Sequence, residues 1–274
     1  MRVLLALLIC LVSAPVNAQT ALQPLIDAAS PNAAITLPDG QYDDATPVYI
    51  RKDVTLSGSR NAIVHSEFQI TGGVVVRFSG FTLDMNKEGA PARNGVTNVY
   101  PQNGMVVVMG GATLWADDLE VHVQPGLTGY ALQKNAFHVV GAMLQLRAVT
   151  QFSRVDWRNS PYQVIELLYG SYANVFSITG DVNNSPFNIL SGASATGSPL
   201  GSGAAAIQVA GSKMTLSGAN LFNFGTATMG VYAMRDSYVQ IGAGVYTTVQ
   251  NFGADAVLTD PSSRKYIAPG NLIN

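Results

Sequence analysis

The sequence predicts an all-β protein whose chain is wound as a parallel β-helix, a solenoid in which short strands stack coil upon coil. Three observations favour this fold. One pattern of apolar residues returns behind five different glycines, glycine accounts for 27 of 274 residues, and charged residues make up only 12% of the chain. This composition suits a regular β-solenoid better than a helical enzyme.

Residues 111–123 are the clearest copy of the repeat. Leu114, Ala116 and Leu119 lie three, five and eight positions after Gly111. This spacing describes a strand, a bend and a second strand, and one such unit must stack on others to bury its apolar face. The other copies are Val76, Phe78 and Phe81 after Gly73; Leu144, Leu146 and Val149 after Gly141; Ala173, Val175 and Ile178 after Gly170; and, in part, Met214, Leu216 and Leu221 after Gly211.

Residues 1–18 are predicted to be a secretory signal peptide. Arg2 precedes an apolar run, and residues 16–18 offer small side chains for cleavage. A membrane anchor is the less favoured alternative, because the run is shorter than the roughly 20 residues that a spanning helix needs. We therefore expect one β-helix domain over residues 19–274, secreted, periplasmic or at the cell surface, with no membrane span after cleavage.

The composition of the mature chain excludes several classes of function. Its lack of cysteine, since Cys10 lies in the signal peptide, excludes disulfides, a thiol nucleophile and a zinc-thiolate site. With 14 basic and 17 acidic side chains, the mature chain gives no electrostatic reason to expect a nucleic-acid partner. The oligomeric state is not indicated.

Residues 21–29 are predicted to form a short amphipathic helix that caps the first coil, whose strand edges would otherwise be open. Strands are expected at residues 35–37, 48–50 and 54–56, and a polar tail is expected from Asp260. Insertions at residues 86–104, 124–135 and 183–203 should project as loops, where function tends to lie. The apolar face of the helix is Leu22, Leu25, Ile26 and Ala29.

The chain resembles the pectin lyase-like superfamily of right-handed parallel β-helices. The resemblance covers the helical cap, the segment LPDGQY at residues 37–42, and coils with Gly and Asn at their corners. It implies right-handed coils and a polysaccharide or other glycan as the ligand, although fold alone does not select a reaction. Of the motifs typical of polygalacturonase-type hydrolases, only Asp117-Asp118 has a counterpart in this chain. A lyase or an epimerase is therefore expected rather than a hydrolase. No cofactor is required by the sequence, and calcium stays open.

Residues at equal distances from the repeat glycine should lie above one another, about 4.8 Å apart per coil. Asp84 should then lie beside His122, a pairing that suits proton transfer because the carboxylate orients the imidazole ring and stabilises its charged form. An arginine could neutralise a uronate carboxylate before its α-proton is removed. The predicted catalytic residues on this outward face are Asp84, Glu120, His122, Arg154 and Asp156.

Trp115 and Trp157 are predicted to stack on sugar rings, because an exposed indole offers a flat apolar face and a polar N–H. The alternative is that loops bury both rings. His65 and His138 lie among apolar strand residues and are expected to be structural, and three separated histidines argue against a transition-metal site. The predicted substrate-binding residues are Trp115, Trp157, Arg77 and Arg158.

Two classes of function stay open. The first is an exported enzyme that processes an acidic polysaccharide, as a lyase or an epimerase. The second is a non-catalytic β-helix that binds glycan or packs into a surface or tailspike-like assembly, favoured by the low charge and the missing motifs. The second class also fits exposed polar columns, whose predicted members include Thr82, Thr150, Thr179 and Asn220.

Overall fold

The computed structural model describes residues 20–84, 104–122, 135–147, 165–176, 187–191, 205–217, 219–223, 229–242, 247–250 and 255–274. In these residues one short helix, α1 (Gln23–Ala28), precedes a long series of strands. The strands up to residue 140 are β1 (Ala33–Leu37), β2 (Gly40–Tyr42), β3 (Val48–Ile50), β4 (Val54–Gly58), β5 (Ala62–Val64), β6 (Phe68–Ile70), β7 (Val75–Ser79), β8 (Thr82–Asp84), β9 (Gly104–Met109), β10 (Thr113–Asp117), β11 (Glu120–His122) and β12 (Asn135–Val140). The later strands are β13 (Met143–Arg147), β14 (Ile165–Leu168), β15 (Tyr172–Phe176), β16 (Phe187–Ser191), β17 (Ala205–Ala210), β18 (Lys213–Ser217), β19 (Ala219–Asn223), β20 (Met229–Met234), β21 (Tyr238–Ile241), β22 (Thr248–Gln250), β23 (Asp255–Thr259), β24 (Arg264–Ile267) and β25 (Leu272–Ile273).

The strands form long parallel sheets, in which each strand pairs with its counterpart one turn of the chain away. Sheet I has nine strands in the order β1-β4-β7-β10-β13-β15-β18-β21-β24, and sheet II has eight in the order β3-β6-β9-β12-β14-β17-β20-β23. Sheet III is β2-β5-β8-β11, and sheet IV is β16-β19-β22-β25. Strands that follow one another along the chain lie in different sheets, as in a β-solenoid.

The predicted repeat sets the register of sheet I. Leu114 pairs with Val76 on one side and with Leu144 on the other. The same register continues through Ala173 and Met214. These side chains are at most 1% exposed and lie in one continuous apolar core. Stacking therefore buries the apolar face that a single repeat would leave in water.

The repeat glycine marks the corner between sheet II and sheet I. Gly111 has a φ of 77° and Gly141 a φ of 56°, a left-handed conformation that is costly for residues with a Cβ. Asp236 takes the same corner in a later coil with a φ of 61°, which aspartate tolerates better than most residues. The corner geometry explains why glycine is the most regular feature of the repeat.

Helix α1 covers the first coil, as the sequence predicts. Leu22 and Ile26 are buried, but Leu25 is 39% exposed, so the prediction that Leu25 belongs to the buried face is wrong. The carboxylate of Asp44 accepts hydrogen bonds from the backbone N–H groups of Leu22 at 2.9 Å and Gln23 at 3.0 Å. This carboxylate therefore ties the helix start to the coil beneath it. In the part of the chain that the structure describes, no helix has the length and apolar character of a membrane span.

The predicted polar tail from Asp260 is wrong, because this segment forms a further coil. Strand β24 pairs with β21, and β25 pairs with β22. Arg264, Lys265 and Tyr266 are exposed on β24. This strand ends sheet I, and charged residues are typical of such edges, so the apolar alternation that marks inner strands is weak here.

Four buried serines stack at the corner between sheets II and I in the later coils. The backbone N–H of Ser171 donates to Oγ of Ser212 at 3.1 Å, and the N–H of Ser212 donates to Oγ of Ser237 at 3.1 Å. The N–H of Ser237 donates to Oγ of Ser263 at 3.0 Å. This serine ladder satisfies buried backbone donors that the left-handed corner leaves outside the strands.

Candidate functional site

Acidic and imidazole residues alternate along one column of sheet III. Tyr42 pairs with Val64, Val64 with Leu83 and Leu83 with Val121, all buried in the core. The residues after Tyr42, Val64 and Leu83 point away from the core, because side chains alternate along a strand. The acid–imidazole column formed in this way consists of Asp43, His65 and Asp84, and the backbone of His122 is next in register.

His65 and Asp84 are the pair in this column whose side-chain geometry the structure describes. His65 Nδ1 lies 3.3 Å from the backbone carbonyl oxygen of Asp84 and 3.9 Å from its Oδ2. Because a carbonyl oxygen only accepts, the proton of the neutral ring lies on Nδ1, and Nε2 is then the basic nitrogen. The side chains are 11% and 18% exposed, so solvent reaches both.

An arginine lies beside this column. Arg60 NH2 is 2.6 Å from Asp118 Oδ1, and Arg60 Nε is 3.9 Å from Glu120 Oε2. The guanidinium therefore reaches from the coil that contains β5 to the coil that contains β11. Its side chain is 34% exposed, and those of Asp118 and Glu120 are 58% and 22% exposed. The outer face of sheet III thus combines a cation, carboxylates and an imidazole within reach of solvent.

The structure brings three of the five predicted catalytic residues onto neighbouring strands. Glu120 pairs with Thr82, and the backbone of His122 pairs with that of Asp84, in the predicted register. The side chain of His122 lies outside what the structure describes. Thr82 is 1% exposed and its Oγ1 donates to the carbonyl oxygen of Arg60, so its predicted exposure is wrong. The predicted site residues outside the described ranges are Arg154, Asp156, Trp157 and Arg158.

Trp115 and Arg77 lie on a different sheet from the acid–imidazole column. Trp115 pairs with Arg77 and Gln145 in sheet I, in the predicted order. The guanidinium carbon of Arg77 is 5.4 Å from the centroid of the Trp115 ring, a cation–π distance. The indole is partly exposed and points away from the core. The predicted sugar platform and the predicted catalytic pair therefore occupy two faces that meet at the corner after Asp117.

A second imidazole–carboxylate pair is buried on the outer face of sheet II. His138 Nδ1 is 2.8 Å from Glu166 Oε2, and Gln208 Nε2 donates to Glu166 Oε1 at 3.2 Å. The three side chains, the buried triad, are at most 2% exposed. Gly104 lies against it, since a Cβ at this position would come within 2.9 Å of His138 Cβ. Glu166 is thus the acceptor that joins the three side chains.

Sequence reasoning missed His65, Glu166 and Gln208 as partners in these clusters. The repeat positions are counted from the corner glycine. The coil that contains His65 has Arg51 at that corner instead, so His65 cannot be aligned by this count. In sheet II, His138 and Gln208 lie three residues before their glycines, whereas Glu166 lies four residues before Gly170. Counting three or four residues back from each glycine would have aligned His138, Glu166 and Gln208.

Comparison with protein-family models, with curated proteins and with solved structures gives no match. Within the described ranges, no group of three or more His, Asp or Glu side chains is arranged to hold a metal ion.

Proposed function

We propose that the protein is an exported, right-handed parallel β-helix of the pectin lyase-like kind that acts on an acidic polysaccharide as a lyase or an epimerase. One observation carries the proposal: Arg60, Glu120 and the His65–Asp84 pair share a solvent-reached face across successive coils. These are the groups needed to bind a uronate carboxylate and to move the proton next to it.

The chemistry begins with neutralisation of the substrate. Arg60 pairs with the uronate carboxylate, which makes the α-hydrogen more acidic. The Nε2 atom of His65 takes this proton while Asp84 holds the ring. In a lyase, the bond from the β-carbon to the glycosidic oxygen then breaks, and the protonated imidazole of His122 gives a proton to the leaving oxygen. In an epimerase, a proton returns to the opposite face of the same carbon.

The test is incubation of the exported protein with polygalacturonate and with alginate. Lyase turnover produces unsaturated ends that absorb in the ultraviolet, and epimerisation changes the anomeric signals in NMR spectra. The variants His65→Ala and His122→Ala should each lose about 100-fold or more in rate, the usual contribution of general acid–base catalysis. Asp84→Asn should lose less, because it keeps the backbone carbonyl group that accepts from the ring and removes only the charge 3.9 Å from Nδ1.

Asp27→Asn is the matched control, because Asp27 is an exposed carboxylate on the capping helix. It should turn over substrate at the wild-type rate. Circular dichroism and thermal unfolding would establish that each variant folds. If all three site variants keep full turnover with an intact fold, sheet III is not the active site.

A non-catalytic glycan-binding protein is the second candidate, and the Arg60–Asp118 contact of 2.6 Å favours it. A guanidinium held this closely must exchange its partner before it can bind a substrate carboxylate. Asp118→Asn should strengthen binding of the acidic polymer in either case, as a lower KM for an enzyme and a lower Kd for a binding protein. Product formation separates the candidates, because only the enzyme forms product.

A further inference from the structure

A second surface of the molecule has the character of a ligand site. A groove of about 600 Å³ crosses the outer face of sheet I near its C-terminal end, over strands β15, β18, β21 and β24. This volume lies in the range of small-molecule sites. The groove is on a different sheet from the acid–imidazole column, so the proposed active site does not account for it.

Aromatic and cationic side chains alternate along the groove. Tyr172 pairs with Lys213, Lys213 with Tyr238, and Tyr238 with Arg264, so the four lie in one column on successive coils. Lys213, Tyr238 and Arg264 are exposed, and Tyr172 is partly exposed. Thr215 and Gln240 pair in the neighbouring column and also line the groove, where they add hydrogen-bonding groups.

The spacing of this column matches a sugar chain. Successive coils lie about 4.8 Å apart, which is close to the length of one pyranose unit in an extended β-1,4-linked chain. A chain that runs along the solenoid axis would therefore place one ring opposite each coil. Tyrosine rings on alternate coils offer flat apolar faces for stacking, with a phenol group that can bond to a hydroxyl.

The charges indicate which sugar chain fits. Lys213 and Arg264 are two coils apart, and Asp236 carries the opposing charge among the lining residues, which leaves an excess of one positive charge. In a two-fold β-1,4-linked uronate chain, the carboxylates on one side recur at every second ring, which is also a spacing of two coils. We propose that this groove binds an acidic, β-1,4-linked oligosaccharide of about four units, with Tyr172 and Tyr238 stacked on sugar rings and Lys213 and Arg264 paired with carboxylates.

The inference rests on the proposed function for its class of ligand, but the groove and the acid–imidazole column are tested separately. The groove is tested by binding and the column by product formation. His65→Ala should lower turnover by about 100-fold or more without changing binding in the groove. If no preparation turns over polymer, binding in the groove is still measured directly.

The experiment is titration calorimetry of the full chain with a β-1,4-linked mannuronate tetrasaccharide. Tyr238→Ala should raise Kd by about threefold to tenfold, as expected for loss of one stacking ring. Arg264→Gln should raise Kd by about tenfold, as expected for loss of a charge-assisted hydrogen bond. Asp236→Asn should lower Kd, because it removes the opposing charge and asparagine tolerates the positive φ of this corner.

Tyr49→Ala is the matched control. Tyr49 is 39% exposed against 38% for Tyr238, and Arg51 lies 5.4 Å from its ring centroid, but it belongs to sheet II near the first coil. Its Kd should equal that of the wild type. Lys213→Gln is the substitute variant if Tyr238→Ala does not fold, since Lys213 is exposed on the same column.

The remaining outcomes also decide the proposal. Cellotetraose, which has the same linkage without carboxylates, should bind at least about tenfold more weakly, and salt should weaken mannuronate binding by screening. Equal binding of the two oligosaccharides would overturn carboxylate recognition. Absence of mannuronate binding, or binding that Tyr238→Ala, Arg264→Gln and Lys213→Gln all leave unchanged, would overturn the site.

Discussion

The two imidazole–carboxylate pairs differ in how tightly they are held. His138 and Glu166 meet at 2.8 Å and are almost fully buried, and Gln208 also donates to Glu166. His65 and the Asp84 carboxylate are 3.9 Å apart and within reach of solvent. The tighter pair is the better hydrogen bond, but a substrate can change the contacts of the looser pair. The close contact at sheet II therefore favours stability, whereas the pair at sheet III keeps the solvent access that the proposed catalytic role requires.

The largest expected difference between the pairs is in stability. Glu166→Ala should lower the free energy of unfolding by about 3 kcal/mol, because it leaves His138 and Gln208 buried without their shared acceptor. Asp84→Ala should cost less than about 1 kcal/mol, since its pair is looser and partly solvated. Guanidinium unfolding followed by circular dichroism measures both. Equal losses in the two variants would contradict the distinction between the pairs.

Gly104 offers a second test of how closely the buried triad is packed. A Cβ at residue 104 would come within 2.9 Å of His138 Cβ, so Gly104→Ala forces one of the two strands to shift. We expect a loss of about 1–3 kcal/mol in the free energy of unfolding, as for overpacked cores. Thermal unfolding measures the loss. A variant as stable as the wild type would mean that β9 and β12 can separate at little cost.

The two histidines should also differ in chemical reactivity, a smaller effect that is confined to the two imidazole rings. Diethyl pyrocarbonate should modify His65 faster than His138, because their side chains are 11% and 1% exposed. Peptide mass spectrometry over a time course separates the two rates, and the unfolded chain supplies the reference at which both react freely. The reverse order of reactivity would show that the burial of the triad is incomplete in solution.

Asp260 is a third carboxylate with several hydrogen bonds, and its donors include backbone N–H groups instead of an imidazole. Partial desolvation of Asp260 is outweighed by hydrogen bonds from Arg235, Ser263 and Ser262, which lower its pKa from 3.8 to about 2. Since the folded pKa is below the unfolded one, the stabilisation is full above about pH 4 and is lost as the pH falls through 2. Asp260→Asn should flatten the pH dependence of Tm between pH 4 and 2, and Ser262→Ala should have an intermediate effect. An unchanged slope in Asp260→Asn would assign the acid sensitivity to other groups.

The sequence predicts the part of each coil that follows the glycine. The left-handed corner holds a fixed number of residues before Leu114 and Leu144, so forward counting gives the register of sheet I and the pairing of His122 with Asp84. The number of residues between sheet II and the glycine varies. Gly110 and Gly111 both have a positive φ, whereas Gly141 stands alone at its corner, which is one residue shorter. One residue of difference moves a side chain to the other face of a strand.

The candidate site is predictable only in part for a related reason. Arg60 reaches Asp118 across a corner between β4 and β5 that is longer than the corresponding corner between β7 and β8. The extra residues carry the arginine, and no repeat copy contains them. Contacts that depend on insertions cannot be read from a periodic pattern, because the period defines only what every coil shares.

The serine ladder joins the later coils at their corner, in addition to the strand pairs of sheet I. Each of the three backbone bonds joins one coil to the next through a single side chain. Tension applied at the C-terminus would load the Ser263 rung first, then that of Ser237, then that of Ser212. Rupture would therefore proceed in steps of one coil. At the other end, the carboxylate of Asp44 holds helix α1 by two hydrogen bonds. Force applied before the helix would therefore have to break both bonds before it reached the first coil.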